Sequence, residues 1–358
     1  VSSRGLGDVY KRQMYPESMV TVVTGASGYI GSHVVANLLA RGEKVRATVR
    51  DVADPGRMDH LRNLPIAEGG GLEVVEMDLF NPDSVDAAIA GCSDLIHTAA
   101  TVVVRSRDPQ RKIVDPSVIG TQNVISAVEK SDTIKRIVHT SSTAAIRPMD
   151  WKDGTVLTTD TWADDATLEE NPYGLAKVSA ERLIRDWHSS LDEETRPRLV
   201  TIHPCMVFGP PMSPRHLRGS LAILMAIVRR EVPLNLPMQI NIVDVRDVAE
   251  AHVRAMTEGE DMGRYLTVSG DMMMNDIAKS LKVAHPKRKW ATWEAPYWLA
   301  IIAAFFHPKI DVSWARRHLR KKLFWDASPA ENDLSMEWIT PLQSILDTTP
   351  PILENEWD

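Results

Sequence analysis

"MVTVVTGASGYIGSHVVANLLARG", residues 19–42, decides how the rest of the chain is read. Val20 to Thr24 is a β-branched run of the kind found in buried strands, and it stops at Gly25. From Tyr29 the apolar residues recur at helical spacing until Gly42, a residue type that commonly ends helices. The pattern is therefore a strand, a tight turn and a helix. Gly25, Gly28 and Gly31 occupy the turn with the spacing G-x-x-G-x-x-G. A dinucleotide site needs a glycine for the sharp turn, one where a pyrophosphate approaches the backbone, and one where helix and strand pack closely. Glycines also serve as plain turn formers, but a triplet between a clear strand and a clear helix near the start of the chain favours cofactor binding.

The same alternation continues outward. "KVRATVR" reads as a second strand, "LEVVEMDL" as a third, "DLIHTAA" as a fourth and "KRIVHTSS" as a fifth, with "SVDAAIAGC" and "SVIGTQNVISAVEKS" as helices between them. A long amphipathic pattern, "GLAKVSAERLIRDWHSSL", leads to the strand "RLVTIHP". Strands separated by helices predict an α/β fold, a doubly wound parallel sheet of Rossmann type covered on both faces. Beyond residue 204 the alternation loosens. The sequence predicts a dinucleotide-binding domain over 14–204, to which 241–258 returns as a strand and helix, and a smaller C-terminal substrate-binding region made of 205–240 and 259–358.

Composition narrows the function classes. The chain has 358 residues, 44% hydrophobic and 25% charged, with a net charge of −7, so a basic nucleic-acid-binding face is not expected. Cys92 and Cys205 are far apart in apolar contexts, which fits a reduced, cytoplasmic setting better than a disulfide scaffold. His97, His139 and His203 lie on or beside apolar strands without metal-like grouping, so no metal site is expected. The first thirteen residues, "VSSRGLGDVYKRQ", lack the order of a signal peptide and look like translated sequencing adapter. Residues 1–13 are accordingly expected to be non-native, with the natural start at Met14 or Met19. The longest apolar run elsewhere, Trp298 to Phe306, is too short to span a bilayer, which takes roughly 20 residues.

The end of the second strand selects the nucleotide. An acid there would hold both adenosine ribose hydroxyls and favour NAD, whereas an arginine would pair with a 2′-phosphate. Here Val49 stands where the acid usually falls, Arg50 follows it, and Arg57 lies seven residues on. This favours NADP(H), with Arg50 as a merely solvated strand-end charge, and some NAD use through Asp51, as the alternatives.

Taken together, "VRATVRD", "DPSVIGTQNV", "TSSTAAI", "YGLAK", "HPCMVFGP" and "VDVRDVAEAH" resemble, in order and spacing, the extended branch of the short-chain dehydrogenase/reductase superfamily. The resemblance covers about residues 19 to 350 and is strongest to the group of dihydroflavonol reductases, cinnamoyl-CoA reductases and 3β-hydroxysteroid dehydrogenases. It implies a catalytic set of Ser142, Tyr173 and Lys177. It also implies cofactor contacts from Gly25, Ser27, Gly28, Tyr29, Ile30, Gly31, Arg50, Arg57, Asp78, Leu79, Ala99, Ala100, Thr101, Thr140, Tyr173, Lys177, Pro204 and Val207. The chemistry independently calls for such residue types. Reducing a carbonyl needs a proton for the developing alkoxide, and a tyrosine with a pKa near 10 relays protons poorly at neutral pH. A lysine one turn away would favour the phenolate, and a serine would orient the substrate oxygen.

Two departures bear on the substrate. Arg147 stands five residues beyond Ser142, where plant dihydroflavonol reductases carry a substrate-reading asparagine, and "NPYGLAK" lacks the longer tyrosine motif of cinnamoyl-CoA reductases. Neither a flavonoid nor a thioester is therefore the expected substrate. A moderately apolar ketone or aldehyde, or the corresponding alcohol, is expected instead, with a 3β-hydroxysteroid-type dehydrogenase, a nucleotide-sugar epimerase or an NADP-sensing regulator as alternatives. Family habit implies a homodimer. "WATWEAPYWLAIIAAFF", followed by a basic cluster from Arg316 to Lys322, predicts an aromatic-rich amphipathic helix. It is expected either to pack over the substrate cleft with a solvated charged face, or to form a lid or peripheral membrane contact.

Overall fold

The structure, a computed structural model, describes residues 19–100, 106–231, 233–306 and 312–357. Its strands, in chain order, are β1 (Val20–Thr24), β2 (Lys44–Val49), β3 (Gly71–Glu76), β4 (Asp94–His97), β5 (Arg136–Thr140), β6 (Thr155–Leu157), β7 (Arg198–Pro204), β8 (Met206–Phe208), β9 (Gln239–Asp244), β10 (Arg264–Thr267), β11 (Gly270–Met273) and β12 (Leu323–Trp325). Seven of them form one sheet in the order β10-β7-β5-β4-β1-β2-β3, with every pair parallel. The order reverses between β1 and β4, where Thr24 sits opposite His97. In such sheets ligands bind in the crevice at the carboxyl ends of the strands beside that reversal.

Both faces of the sheet are covered, as its apolar strands require. Helices Tyr29–Ala40 and Val245–Arg254 cover one face, burying Val34, Leu38, Leu39 and Ala249 completely or nearly so. Helices Pro82–Ile89, Asp115–Lys130 and Pro172–Ser189 cover the other with Val85, Ile89, Val124 and Ile184. Helix starts are written locally. Asn171 accepts a hydrogen bond from Gly174 N (3.0 Å) and Pro172 opens the helix that carries Tyr173, while Asp54, Asn81 and Asp244 cap three others in the same way.

The C-terminal part departs from the expected layout. β9 does not extend the main sheet; it lies parallel to β8 and antiparallel to β11 in a separate three-stranded sheet, and only the helix after it returns to the main body. Conversely, β10, expected in the smaller region, is the outermost strand of the main sheet, paired with β7. β6 and β12 make a third, two-stranded parallel sheet. The aromatic segment is helical only over Tyr297–Phe306, because Pro296 disfavours helix in the residue before it and Asn235 and Glu294 form an isolated bridge there. Among the described residues no helix is long and apolar enough to cross a membrane.

Candidate active site

A cavity of 410 Å³ opens at the carboxyl ends of β1, β2 and β5, within the size range of cofactor sites. Its floor is the glycine turn. Gly25 has φ +69°, and a Cβ there would lie 2.8 Å from Ala99 Cα. A Cβ on Gly31 would collide with the Gly25 carbonyl, so the first helix can approach β1 only with glycine at this position. Gly28 stands at the N-cap of helix Tyr29–Ala40 without a side-chain cap, leaving the first-turn N–H groups to meet an anion.

Each sequence-predicted site residue that lies among the described residues lines this cavity: Gly25, Ser27, Gly28, Tyr29, Ile30, Gly31, Arg50, Arg57, Asp78, Leu79, Ala99, Ala100, Thr140, Ser142, Tyr173, Lys177, Pro204 and Val207. Thr101 falls outside the described residues. At one end, Arg50 is exposed just past β2, while Arg57 and Arg215 share the single carboxylate of Asp54 at 3.2 and 2.9 Å. The nearby acid Asp51 is turned into its own loop, accepting from Ala53 N at 2.9 Å. This end therefore offers guanidinium groups rather than free carboxylates, the arrangement suited to a phosphate.

Ser142, Tyr173 and Lys177 meet at the other end. Ser142 ends the β5 loop, and its Oγ accepts from Ala144 N at 3.1 Å, which fixes its backbone. Lys177 is buried one helical turn after Tyr173 and donates to the Thr140 carbonyl at 3.2 Å. Burial brings its pKa down to about 8, against the pull of Glu181 in the opposite direction. Burial also raises the Tyr173 phenol, and a hydrogen bond shared with Ser142 draws it partly back. Lys177 is not among the groups that shift the phenol here: desolvation dominates, the counteracting group is Ser142, and the ammonium is directed at a backbone carbonyl.

Below this set lies a buried polar cluster that sequence patterns did not reveal. The fully buried Glu181 carboxylate accepts from Ser141 Oγ at 2.6 Å and Arg264 Nε at 2.7 Å, and His203 Nε2 lies 2.8 Å away. Arg264 in turn stacks on Trp162 at 3.8 Å and donates to the carbonyls of Thr159 and Thr161. His97 is held by Thr24 Oγ1 at 2.7 Å, and burial brings its pKa down to about 3. His139 and His203 are likewise lowered by burial, in keeping with core histidines, and no metal-binding group occurs among the described residues. Arg147 lies outside the cavity lining, with its guanidinium 5.3 Å from the Trp151 ring centroid.

Sequence reasoning missed the loop that closes the nucleotide end. Arg215, His216, Arg218, Gly219 and Ser220 line the cavity, although they lie in the stretch assigned to the substrate side. His216 Nε2 is 3.3 Å from the Ser27 carbonyl, and its ring lies edge-on to His60 with centroids 5.1 Å apart. A local signal was present, since Ser213 and Pro214 open a short turn, but not the loop's path across the glycine turn.

Residues 21–268 match the model of the NAD dependent epimerase/dehydratase family. Cinnamoyl-CoA reductase CAD2 of Medicago truncatula is 35% identical over 272 residues, covering 75% of this chain and 81% of the relative. A bifunctional dihydroflavonol 4-reductase/flavanone 4-reductase of Pyrus communis is 31% identical, covering 76% of this chain and 79% of the relative. Among solved structures, Gre2 from Candida albicans in complex with NADPH superposes with a TM-score of 0.75 at 25% identity, over 94% of this chain and 99% of that one. With its parallel seven-stranded sheet and glycine-floored crevice, the chain belongs to this family, within the dihydroflavonol reductase-like group of the extended short-chain dehydrogenase/reductases.

Proposed function

We propose that the chain is an NADPH-dependent reductase that converts a moderately apolar ketone or aldehyde into the alcohol, with Tyr173 as proton donor. One observation carries this reading: Ser142, Tyr173 and Lys177 line the same cavity as the glycine turn and Arg50. The glycine floor, which leaves no room for a Cβ at Gly25 or Gly31, fits the close approach of a dinucleotide. In this proposal the first-turn N–H groups after Gly28 hold the pyrophosphate, Arg50 and Arg57 the 2′-phosphate, and Lys177 the nicotinamide ribose. The names of the relatives, reductases throughout, and the NADPH in the Gre2 complex support the same choice.

NADPH, when bound, would supply the hydride. Tyr173 gives its phenolic proton to the carbonyl oxygen as that oxygen gains charge, and Ser142 donates a hydrogen bond to the same oxygen, orienting it. Solvent reprotonates the phenolate left behind, while Lys177, still largely protonated at neutral pH, would hold the nicotinamide ribose. The absence of an acid at Val49 speaks against the epimerase alternative, which would be expected to hold NAD through one.

The test is NADPH oxidation, followed by its absorbance, over a panel of ketones and aldehydes, with Tyr173→Phe as control. Turnover of at least one substrate by the native chain and a loss of about 10²- to 10⁴-fold in kcat for the variant, with NADPH still bound, are expected. Silence across the panel, or an unaffected variant, would overturn the proposal.

A further inference from the structure

Helix Tyr297–Phe306, "YWLAIIAAFF", carries no charged side chain on any face. Its inner side is accounted for: Ala300 and Ala304 are buried against Leu234, Leu236, Met238 and Trp314. A helix covering a globular core ordinarily turns polar residues outward. This one instead exposes Trp298 (63%), Ile302 (50%) and Phe305 (74%), spaced four and three residues apart and so forming one stripe. Trp293, just before the helix, is 76% exposed. An exposed apolar stripe along a helix is the kind of surface that marks a site of interaction.

Charge identifies the partner. Residues 282–322 hold ten lysines and arginines against two acids, in a chain whose net charge is −7, and of the ten Arg317 and Lys321 are paired with acids outside this stretch, Glu170 and Asp150. The basic residues flank the apolar helix on both sides in sequence. Arg320 lies with its guanidinium 5.8 Å from the ring centroid of Tyr297, at the helix start, and Arg316 and Lys322 are exposed. Two copies meeting through this face would bring like charges together, whereas an anionic lipid surface complements it. Tryptophan and phenylalanine beside cations suit the boundary between headgroups and acyl chains. Ten residues of helix reach about 15 Å, half of what crossing the hydrocarbon core requires, so the helix lies along the surface.

We propose that helix Tyr297–Phe306 and the basic residues flanking it dock the enzyme on the surface of an anionic lipid bilayer. The aromatic stripe enters the interface, and the exposed arginines and lysines, Arg316, Arg320 and Lys322 among them, meet the headgroups. This inference is independent of the reductase assignment, because it rests on a face outside the cavity.

Sedimentation of the purified chain with vesicles of phosphatidylcholine alone, and of equal parts phosphatidylcholine and phosphatidylglycerol, tests it. The mixed vesicles should pellet the chain at least about tenfold more effectively, and raised salt should reverse this. Trp298→Ser with Ile302→Ser, and separately Arg316→Glu with Lys322→Glu, should each lower binding by about tenfold or more, with NADPH binding unchanged as the check on folding. Equal pelleting of native and variant chains, or none with mixed vesicles, overturns the proposal. So does a native dimer that Trp298→Ser with Ile302→Ser converts to monomer without any vesicle binding, because the face is then a subunit contact.

Discussion

Replacing Glu181 by glutamine should cost about 3 kcal/mol of stability, far more than a change of one atom type suggests. The carboxylate is fully buried and its permanent counter-charge is Arg264, only 8% exposed at 2.7 Å. Removing one partner of a buried pair strands the other, at about 3–5 kcal/mol. The lower end applies here, because Arg264 keeps the carbonyls of Thr159 and Thr161 and the Trp162 face. Burial pushes the Glu181 carboxyl up, but His203, Arg264 and Ser141 override it and hold the group well below its ordinary 4.5. Because the folded pKa lies below the unfolded one, this contribution is present above about pH 4.5 and is lost as the solution is acidified through the folded value. Urea unfolding followed by circular dichroism at pH 7 measures the first effect, and a descending pH series starting above 4.5 follows the second. The double variant Glu181→Gln with Arg264→Met should recover much of the loss, since no uncompensated charge remains. A single-variant cost below about 1 kcal/mol, or a double variant as unstable as the two singles added together, would refute the description of this cluster as a buried ion pair.

Three further outcomes follow from the site. Lys177→Met should abolish turnover yet stabilise the fold by up to about 3 kcal/mol at pH 7, because the fall of the ammonium from 10.5 to about 8 records a desolvation cost present below pH 8 and relieved as pH rises toward 10.5; thermal melts between pH 7 and 10 check it. Arg50→Asp should shift the ratio of NADPH to NADH efficiency by about 10- to 100-fold toward NADH, measured as kcat/KM with each nucleotide, and an unchanged ratio would remove Arg50 from the 2′-phosphate site. Gly25→Ala forces a side chain into φ +69° and to within 2.8 Å of Ala99 Cα, so NADPH affinity measured by fluorescence titration should fall at least about tenfold.

What the sequence disclosed and what it hid differ in physical kind. The β1 strand, its glycine turn and the following helix are legible because each is fixed by residues adjacent in sequence, and the same is true of Asn171 and Pro172 at the start of the Tyr173 helix. Ser142, Tyr173, Lys177 and Arg50 line one cavity although drawn from widely separated parts of the chain, and only the family resemblance, not any local pattern, singled them out together. β6 and β12 are only three residues each and exist because they find one another, so no local pattern announces them. Glu181 and Arg264, 83 residues apart, look like ordinary surface charges until the fold buries both. Arg215 reaches Asp54 from 161 residues away, a contact set by the path of a loop. The balance of charge around Tyr173 was hidden for a related reason: a one-turn spacing brings Lys177 near but does not say that its ammonium is directed at Thr140.

The place of β10 at the rim of the principal sheet has a consequence for biosynthesis. The nucleotide-binding half cannot complete its hydrogen-bonded ladder until Arg264–Thr267 has left the ribosome, after the segments that contribute β8 and β9 to the second sheet. Until then the outer edge of β7 stands open, and exposed edges of this kind invite pairing with other chains. The late arrival of that last strand ties completion of the principal sheet to a segment that follows β8 and β9 in the chain.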